Sequence, residues 1–226
     1  ERTSPSNAHN LFIQNTVPGE NPNQKYWGFE FLFNKRFSNK WQVLASYVYS
    51  QAKGTVSNGS AYRDIGWNSF YDPNYWYNAD GHSAYDPTHM LKVQGSYILP
   101  LGISFNAYFR AITGDSWTQQ RRTGSRDFAQ GRITFYVQPA GTYHYPIDTE
   151  LDLRLEKTFT LAAKYRLGVI FDVFNVFNVD TIFGWGTRIN YDYYPLSTTY
   201  SPSTNQHKLT SLTLPRRARL GIRLMF

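Results

Sequence analysis

The last residues of the chain, "PRRARLGIRLMF" (215–226), alternate between polar and apolar side chains. In an extended strand, successive side chains point to opposite faces. One face would carry Leu220, Ile222, Leu224 and Phe226, and the other Arg219, Gly221, Arg223 and Met225. Such a strand fits either a half-buried sheet or a sheet with lipid on one side and water on the other. The rest of the chain decides between these two arrangements.

Six further segments show the same alternation and are predicted to be strands. They are 26–37, 41–51, 90–99, 103–112, 150–159 and 165–177. The most polarised is "ELDLRLEKTF" (150–159), where three leucines alternate with Asp152, Arg154 and Glu156. Most of these segments have roughly the 9–12 residues that a tilted strand needs to cross a bilayer.

The connections between the predicted strands alternate strictly between short and long. The short ones are "SNK", "PLG" and "TLAAK", whereas 52–89, 113–149 and 178–215 are each 37 or 38 residues long. Loops of this length without elements of their own are uncommon in a soluble sandwich. Outer-membrane barrels have short periplasmic turns and long extracellular loops. We therefore expect an all-β, antiparallel transmembrane β-barrel segment of about seven strands with these three loops outside the cell.

Composition and charge agree with this expectation. Aromatic residues are abundant, with 18 Tyr, 16 Phe and 6 Trp, as is typical of β-structure and of the aromatic girdles of membrane barrels. No stretch approaches the ~20 apolar residues of a spanning helix. The chain has no cysteine, which excludes disulfide scaffolds and thiolate metal sites.

The formal charge of +7 does not indicate nucleic-acid binding, because the basic residues are scattered rather than clustered on one face. Two arginine doublets occur, Arg121-Arg122 and Arg216-Arg217. A basic rim facing lipopolysaccharide phosphates, or an acidic solute, explains the same charge. We therefore expect outer-membrane lipids and lipopolysaccharide as partners, and no nucleic acid.

Three long stretches resemble a known family. They are "YWGFEFLFNKRFSNKWQVLASYVYSQAKG" (26–54), "DPTHMLKVQGSYILPLGISFNAYFRAITGD" (86–115) and "DLRLEKTFTLAAKYRLGVIFDVFNVFN" (152–178). Together they resemble the C-terminal barrel of TonB-dependent outer-membrane transporters, most of all the Oar-like branch. The best matching motifs are Lys35-Arg36-Phe37-Ser38, Asp172-Val173-Phe174-Asn175-Val176-Phe177-Asn178 and Pro215-Arg216-Arg217.

The end of the chain carries a second resemblance. Arg219, Gly221, Leu224 and Phe226 are spaced as in the C-terminal signal by which the outer-membrane insertion machinery recognises barrels. This resemblance implies a periplasmic C-terminus in the outer membrane of a Gram-negative bacterium. With an odd number of strands, residues 1–25 would then form an extracellular segment, and residues 26–226 the C-terminal strands and their loops.

The family resemblance implies a barrel of about 22 strands that surrounds a plug. Nothing in this sequence corresponds to the plug or to the energy-coupling segment. Because an open seven-stranded sheet leaves two unpaired edges in lipid, we expect a C-terminal piece of a larger barrel or one part of a split barrel. An alternative is that "HNLFIQNTV" (9–17) forms an eighth strand and closes a small barrel.

The implied function is uptake of a scarce solute, such as a sugar, peptide or siderophore. The remaining barrel, the plug and the TonB energy-coupling complex would be its partners. The alternative is a non-transporting barrel anchor or small pore whose aromatic loops bind a partner or polysaccharide. The upstream coding sequence would separate the two, because only a transporter needs a plug.

Two groups of residues are candidates for these roles. Polar residues expected on the lumen wall are Glu30, Arg110, Asp152, Arg154, Glu156 and Asp172. Aromatic loop residues expected either to stack on a solute or to pack against neighbouring loops are Trp67, Tyr71, Tyr75, Trp76, Tyr77, Tyr191, Tyr193 and Tyr194.

No catalytic, cofactor or metal motif is found, so we expect no enzyme and no cofactor. Asp152 and Glu156 flank Arg154 on one strand, a pattern that indicates a salt-bridged ladder on the wall rather than a glycosidase pair. The five histidines, His9, His82, His89, His144 and His207, lack ligand spacing and are expected to be solvated. Asp72, Asp80 and Asp86 lack the spacing of an EF-hand and indicate calcium only weakly.

Overall fold

The structure is a computed structural model of the chain and describes residues 23–55, 77–83, 86–123, 134–161, 164–193 and 208–226. Within these ranges it contains β-strands and one short 3-10 segment, Pro100–Gly102. The strands are β1 Gln24–Ser38, β2 Trp41–Gly54, β3 Gly81–His82, β4 His89–Leu99, β5 Ile103–Ile112, β6 Ser116–Trp117, β7 Gln120–Thr123, β8 Thr134–Tyr136, β9 Tyr143–His144, β10 Asp148–Thr160, β11 Arg166–Phe174, β12 Ile182–Trp185, β13 Arg188–Tyr193, β14 Leu209–Leu212 and β15 Arg217–Met225. Among the described residues, no helix is long and apolar enough to cross a membrane.

Seven long strands form one antiparallel meander in the order β1-β2-β4-β5-β10-β11-β15, and β3 pairs with β2 beside this path. Each long strand is hydrogen-bonded to the next long strand along the chain. The predicted all-β antiparallel fold is confirmed, and each of the seven predicted segments forms a strand within a few residues of its expected bounds. The largest difference is at β11, which ends at Phe174 because Asn175 adopts a positive φ of 50°.

The short turns explain why consecutive strands pair. Asn39 and Lys40 both have positive φ, 51° and 69°, as a two-residue type I′ hairpin turn requires. Leu101 and Gly102 have φ of 65° and 68° in the turn between β4 and β5. We call this end of the sheet the short-turn end, and the opposite end, where the three long connections lie, the long-loop end.

The sheet has one apolar face, and this face is exposed. Its side chains include Phe29 and Phe31 on β1, which are 60% and 57% exposed, and Leu220 and Ile222 on β15, which are 71% and 73% exposed. Among the described residues, Ala79 is one of only two buried apolar side chains, the other being Tyr136. The sheet therefore has no apolar core of its own, and its apolar face is turned toward the surroundings.

The pairing register shears the sheet in the way that a barrel requires. One cross-strand row joins Lys35, Val43, Gly95, Ala107, Leu153, Val173 and Ala218. In β1 this row lies near the short-turn end, at Lys35 of a strand that ends at Ser38. In β15 it lies near the long-loop end, at Ala218 of a strand that ends at Met225. The strands are therefore tilted relative to the direction in which successive turns follow one another along the sheet edge, as in closed barrels.

The two edges of the sheet are open within the described part of the chain. There, β1 pairs only with β2, and β15 pairs with β11. The segment 9–17, the alternative closing strand, lies outside the described residues. Closure into a barrel therefore stays a prediction.

The long connections were predicted to have no elements of their own, and this prediction was wrong. β3, β6–β9 and β12–β14 lie there, in three small sheets and one addition to β2. These strands have two to six residues, which is too short for an alternating pattern to be recognised. One pairing, β7 with β13, is parallel and joins the second and third long connections.

Candidate functional site

The polar face of the sheet is centred on a buried carboxylate, Asp172, which is 2% exposed. Arg154 Nε lies 2.6 Å from Asp172 Oδ1, and Arg219 Nη2 lies 2.7 Å from Asp172 Oδ2. The register places the three residues directly opposite one another on β10, β11 and β15. A carboxylate this deeply buried is tolerated because both of its oxygens face a cation.

Further ion pairs continue along the same face. Arg223 Nη1 lies 3.1 Å from Glu156 Oε1, and Arg110 Nη2 lies 2.8 Å from Asp148 Oδ2. Arg110 Nε is also 2.8 Å from Glu150 Oε2, but this contact lacks hydrogen-bond geometry and is an ion pair only. Charged groups on this face are thus largely compensated by neighbours.

The sequence predicts a salt-bridged ladder on this wall, with Arg154 between Asp152 and Glu156. In the structure the ion pairs run across strands, from Arg154 to Asp172 and from Glu156 to Arg223. Directly opposed side chains in a sheet are closer than residues two apart on one strand. Asp152 instead accepts a hydrogen bond from the backbone N–H of Asn175, at 2.9 Å.

The six predicted wall residues share one face of the sheet, as the register requires. This face borders a cavity of about 730 Å³, whose lining includes Asn34, Gln42, Gln94, Tyr108, Arg154 and Glu156. Glu30 lies toward the long-loop end of β1 and is exposed. That this face lines the lumen of a barrel stays a prediction.

The motif Asp172–Asn178 fastens the third long connection to the sheet. The Asn175 side-chain amide donates to the carbonyls of Val179 and Leu214, both at 2.9 Å, and its oxygen accepts the Val179 N–H at 3.0 Å. Asn178 Oδ1 accepts the Arg216 N–H at 2.9 Å. Both ends of the connection are therefore held beside β11. Two of the three motifs that carried the family resemblance, Asp172–Asn178 and Pro215–Arg217, are in direct contact.

The predicted C-terminal signal is divided between the two faces. Arg219 belongs to the Asp172 ion pairs, and Gly221 pairs with Ile170 in the register. Leu224 and Phe226 are exposed, Phe226 to 94%. Recognition by the insertion machinery stays a prediction.

Only part of the predicted aromatic set can be located. Tyr77 is 61% exposed and makes an edge contact with Phe135, with ring centroids 6.3 Å apart. Tyr191 and Tyr193 belong to β13. The others, Trp67, Tyr71, Tyr75, Trp76 and Tyr194, lie outside the described residues.

An aromatic cluster that the sequence analysis missed lies at the long-loop end. We call Trp117, Tyr143, Tyr145 and Trp185 the loop aromatic cluster. Trp117 stacks on Tyr143 at 4.8 Å and meets the edge of Trp185 at 5.0 Å between ring centroids. The indole N–H groups of Trp117 and Trp185 are buried and have no hydrogen-bond partner among the described residues. The cluster joins residues from two long connections, so no local sequence signal predicts it.

A second unexpected group joins the first and second long connections. His82 Nδ1 lies 2.8 Å from Asp86 Oδ2, and the rings of His82 and His144 meet at 5.5 Å between centroids. Asp86 is buried, and the His82 side chain is only 22% exposed. The prediction that these histidines are isolated and solvated was therefore wrong for His82. Within the described residues, no group of three or more His, Cys, Asp or Glu side chains is arranged to hold a metal ion.

Burial and charge shift two titrations in this group. Burial, then the neighbouring His82, lowers the pKa of His144, and the Asp86 carboxylate opposes this shift. Burial, then the charge of Asp86, raises the pKa of Asp115. The neutral imidazole of His144 is thereby favoured. His89, by contrast, lies elsewhere and shares a 2.8 Å hydrogen bond through Nδ1 with the Tyr47 hydroxyl.

Comparisons with protein-family models and with curated proteins found no match. Among solved structures, the chain is similar to the closed form of the ferric-catecholate import receptor Fiu from E. coli K12, with a TM-score of 0.46 and 17% identity. The match covers 91% of this chain and 21% of that receptor chain. The chain thus spans about a fifth of the receptor's length.

Proposed function

We propose that this chain forms part of the wall of a TonB-dependent outer-membrane transporter that takes up a scarce solute. The observation that carries the proposal is the two-faced sheet: an exposed apolar face opposite a face of compensated charges. A contiguous apolar surface of this kind is unfavourable in water. In a membrane barrel the same arrangement is stable, because the apolar face contacts lipid and the polar face contacts the lumen.

In this proposal the seven long strands cross the outer membrane and the long-loop end faces the outside of the cell. The three long connections would capture the solute, and the plug and the TonB complex would come from other parts of the assembly. The chain would supply no catalytic group and no cofactor. The loop aromatic cluster supports solute capture, because aromatic faces suit stacking against a ring-containing molecule.

A second function is a non-transporting anchor that displays its loops to a partner chain or polysaccharide. One observation favours it: the long connections pair with one another through β7 and β13 and through the Gly81–Ala140 bridge. Such cross-links make a defined surface rather than independent loops. Both functions share the membrane wall, so the first experiment tests the wall.

The absence of cysteine makes single-cysteine labelling a clean test. In intact cells, Asp80→Cys at the long-loop end should react with a membrane-impermeant maleimide, whereas Lys40→Cys at the short-turn end should react only after the outer membrane is opened. Ile222→Cys should resist the impermeant reagent in both states. Labelling of Lys40→Cys in intact cells, or of Ile222→Cys by the impermeant reagent, would contradict the proposed orientation or the membrane wall.

Transport and anchoring are separated by uptake. Cells with and without the gene should be compared for uptake of labelled oligosaccharide, peptide and ferric siderophore, with and without a protonophore. Uptake that needs both the gene and the proton gradient supports the transporter. Unchanged uptake of all three classes, with loss of partner or polysaccharide binding at the surface, supports the anchor.

A further inference from the structure

We propose that His82 and His144 form a binding site for one divalent transition-metal ion at the long-loop end. The site is accessory to the proposed wall and does not depend on transport. It would hold in a transporter and in an anchor alike. A negative uptake experiment would therefore not contradict the proposed metal site, and a negative metal titration would not contradict the proposed membrane wall.

The spacing of the two rings fits a shared ion. Two imidazoles that bind one ion through bonds of about 2.1 Å at a tetrahedral angle have centroids about 5 Å apart. The centroids of His82 and His144 are 5.5 Å apart, with ring planes at 79°. The separation of the two rings is therefore compatible with one shared ion.

Asp86 supplies the supporting interaction that metal-binding histidines usually have. Its carboxylate lies 2.8 Å from His82 Nδ1, which leaves Nε2 of His82 as the nitrogen available for an ion. A carboxylate on the far nitrogen fixes the ring orientation and raises the basicity of the ligand. This interaction distinguishes His82 from a histidine that merely contacts an aromatic neighbour.

The backbones of both histidines are held in place by the two long connections. The His82 N–H donates to the Ala140 carbonyl at 2.9 Å, and His144 pairs with Ser116 in the β6–β9 ladder. Gly141 has a φ of 67°, and a Cβ there would lie 2.4 Å from His82 Cβ, so glycine is required for this approach. The ligands are therefore presented by fixed backbone rather than by free loops.

The surroundings favour a cation with open coordination positions. The Asp86 carboxylate lies beside His82, and Asp115 precedes Ser116, the residue that pairs with His144. Lys53, which is exposed, lies across from His82 in the register. Two protein nitrogens leave the remaining positions to water or to a bound molecule. Imidazole ligands suit Cu²⁺, Ni²⁺ and Zn²⁺, and the ordinary affinity order puts Cu²⁺ first.

The test is titration of Cu²⁺ and Zn²⁺ into the purified outer-membrane protein that contains this chain, in detergent, followed by calorimetry. For Cu²⁺, electron paramagnetic resonance should report two coordinating imidazole nitrogens. His82→Ala and His144→Ala should each abolish saturable binding or weaken it by more than Asp86→Asn does. Asp86→Asn should weaken it about 10- to 100-fold, as is typical for loss of such a supporting carboxylate.

His89→Ala is the matched control, because His89 is also bonded through Nδ1 but lies away from the pair; it should leave affinity unchanged. Since a variant can misfold, the unmodified protein gives a second measurement. Zn²⁺ should protect His82 and His144, but not His89, from diethylpyrocarbonate as measured by peptide mass spectrometry. Absence of saturable binding, loss in only one of the two histidine variants, or equal protection of all three histidines would overturn the proposal.

Discussion

The sheet and the long-loop end are built for opposite surroundings. In the sheet, the deeply buried group is the charged Asp172, while Leu220 and Ile222 on the other face are exposed. At the long-loop end, the buried groups include Ala79, Ser83 and Thr118. The Ser83 carbonyl accepts a hydrogen bond from Ser116 of the next connection, and the Thr118 hydroxyl accepts one from the Gly141 N–H. The sheet is thus arranged for lipid outside and polar groups inside. The long-loop end has the buried hydrogen bonds of a structure in contact with water.

This comparison predicts that the two regions fail in different ways when they are altered. Changes within the sheet should reduce the stability of the whole wall, because its strands share one hydrogen-bonded ladder. Changes at the long-loop end should open local structure only, because its small sheets are attached to the wall at few points.

The largest effect is expected for Asp172→Ala, which leaves Arg154 and Arg219 without their common partner. We expect a loss of about 3–4 kcal/mol in the free energy of unfolding, because two hydrogen bonds between charged groups are lost, each contributing about 1.5–3 kcal/mol. The measurement is urea unfolding in phospholipid vesicles, with gel mobility before and after boiling as a check on folding.

Glu30→Gln is the matched control for this change, because Glu30 lies on the same face but forms no ion pair among the described residues. It should shift the free energy of unfolding by less than about 0.5 kcal/mol. Equal losses in the two variants would mean that Asp172 has no special place in the wall.

The sequence predicted the sheet well because its information is local. In 150–159, the alternation of Leu151, Leu153 and Leu155 with charged residues fixes both the strand and its two faces. The partner of Arg154 was not predictable in the same way. It depends on the register between β10 and β11, which pairing decides.

The long-loop end was predicted poorly because its information is non-local. Trp117 and Trp185 meet from different connections, as do His82 and His144. The strands there have two to six residues, which is too short for a periodic pattern of polar and apolar residues to be recognised in the sequence. The aromatic candidates between Trp67 and Tyr77 were predicted from local aromatic density instead, and all but Tyr77 lie outside the described residues.

A second prediction compares the two faces of the sheet. Leu220→Lys places a charge on the apolar face near the middle of β15 and should cost about 2–3 kcal/mol in vesicles. Gln94→Lys places the same charge on the polar face and should be nearly neutral, because Gln94 is exposed there and borders the cavity. If the two variants lose equal stability, or if Gln94→Lys loses more, the assignment of the lipid-facing side is wrong.

The smallest effect is expected from Trp117→Leu at the long-loop end. This change removes the stacking on Tyr143 and the edge contact with Trp185, and each such aromatic pair contributes about 0.5–1.5 kcal/mol beyond the burial of area. Local opening should become easier by about 1 kcal/mol, so amide hydrogen exchange in β6 and β9 should accelerate roughly fivefold. Exchange in β10 and β11 should stay unchanged, because the ladder of the sheet does not depend on this contact.

Trp27→Leu is the control, since Trp27 contacts Tyr49 on the apolar face of the sheet and should leave β6 and β9 unaffected. Faster exchange throughout the sheet in Trp117→Leu would show that the long-loop end and the wall are one cooperative unit, and the contrast between the two regions would be lost.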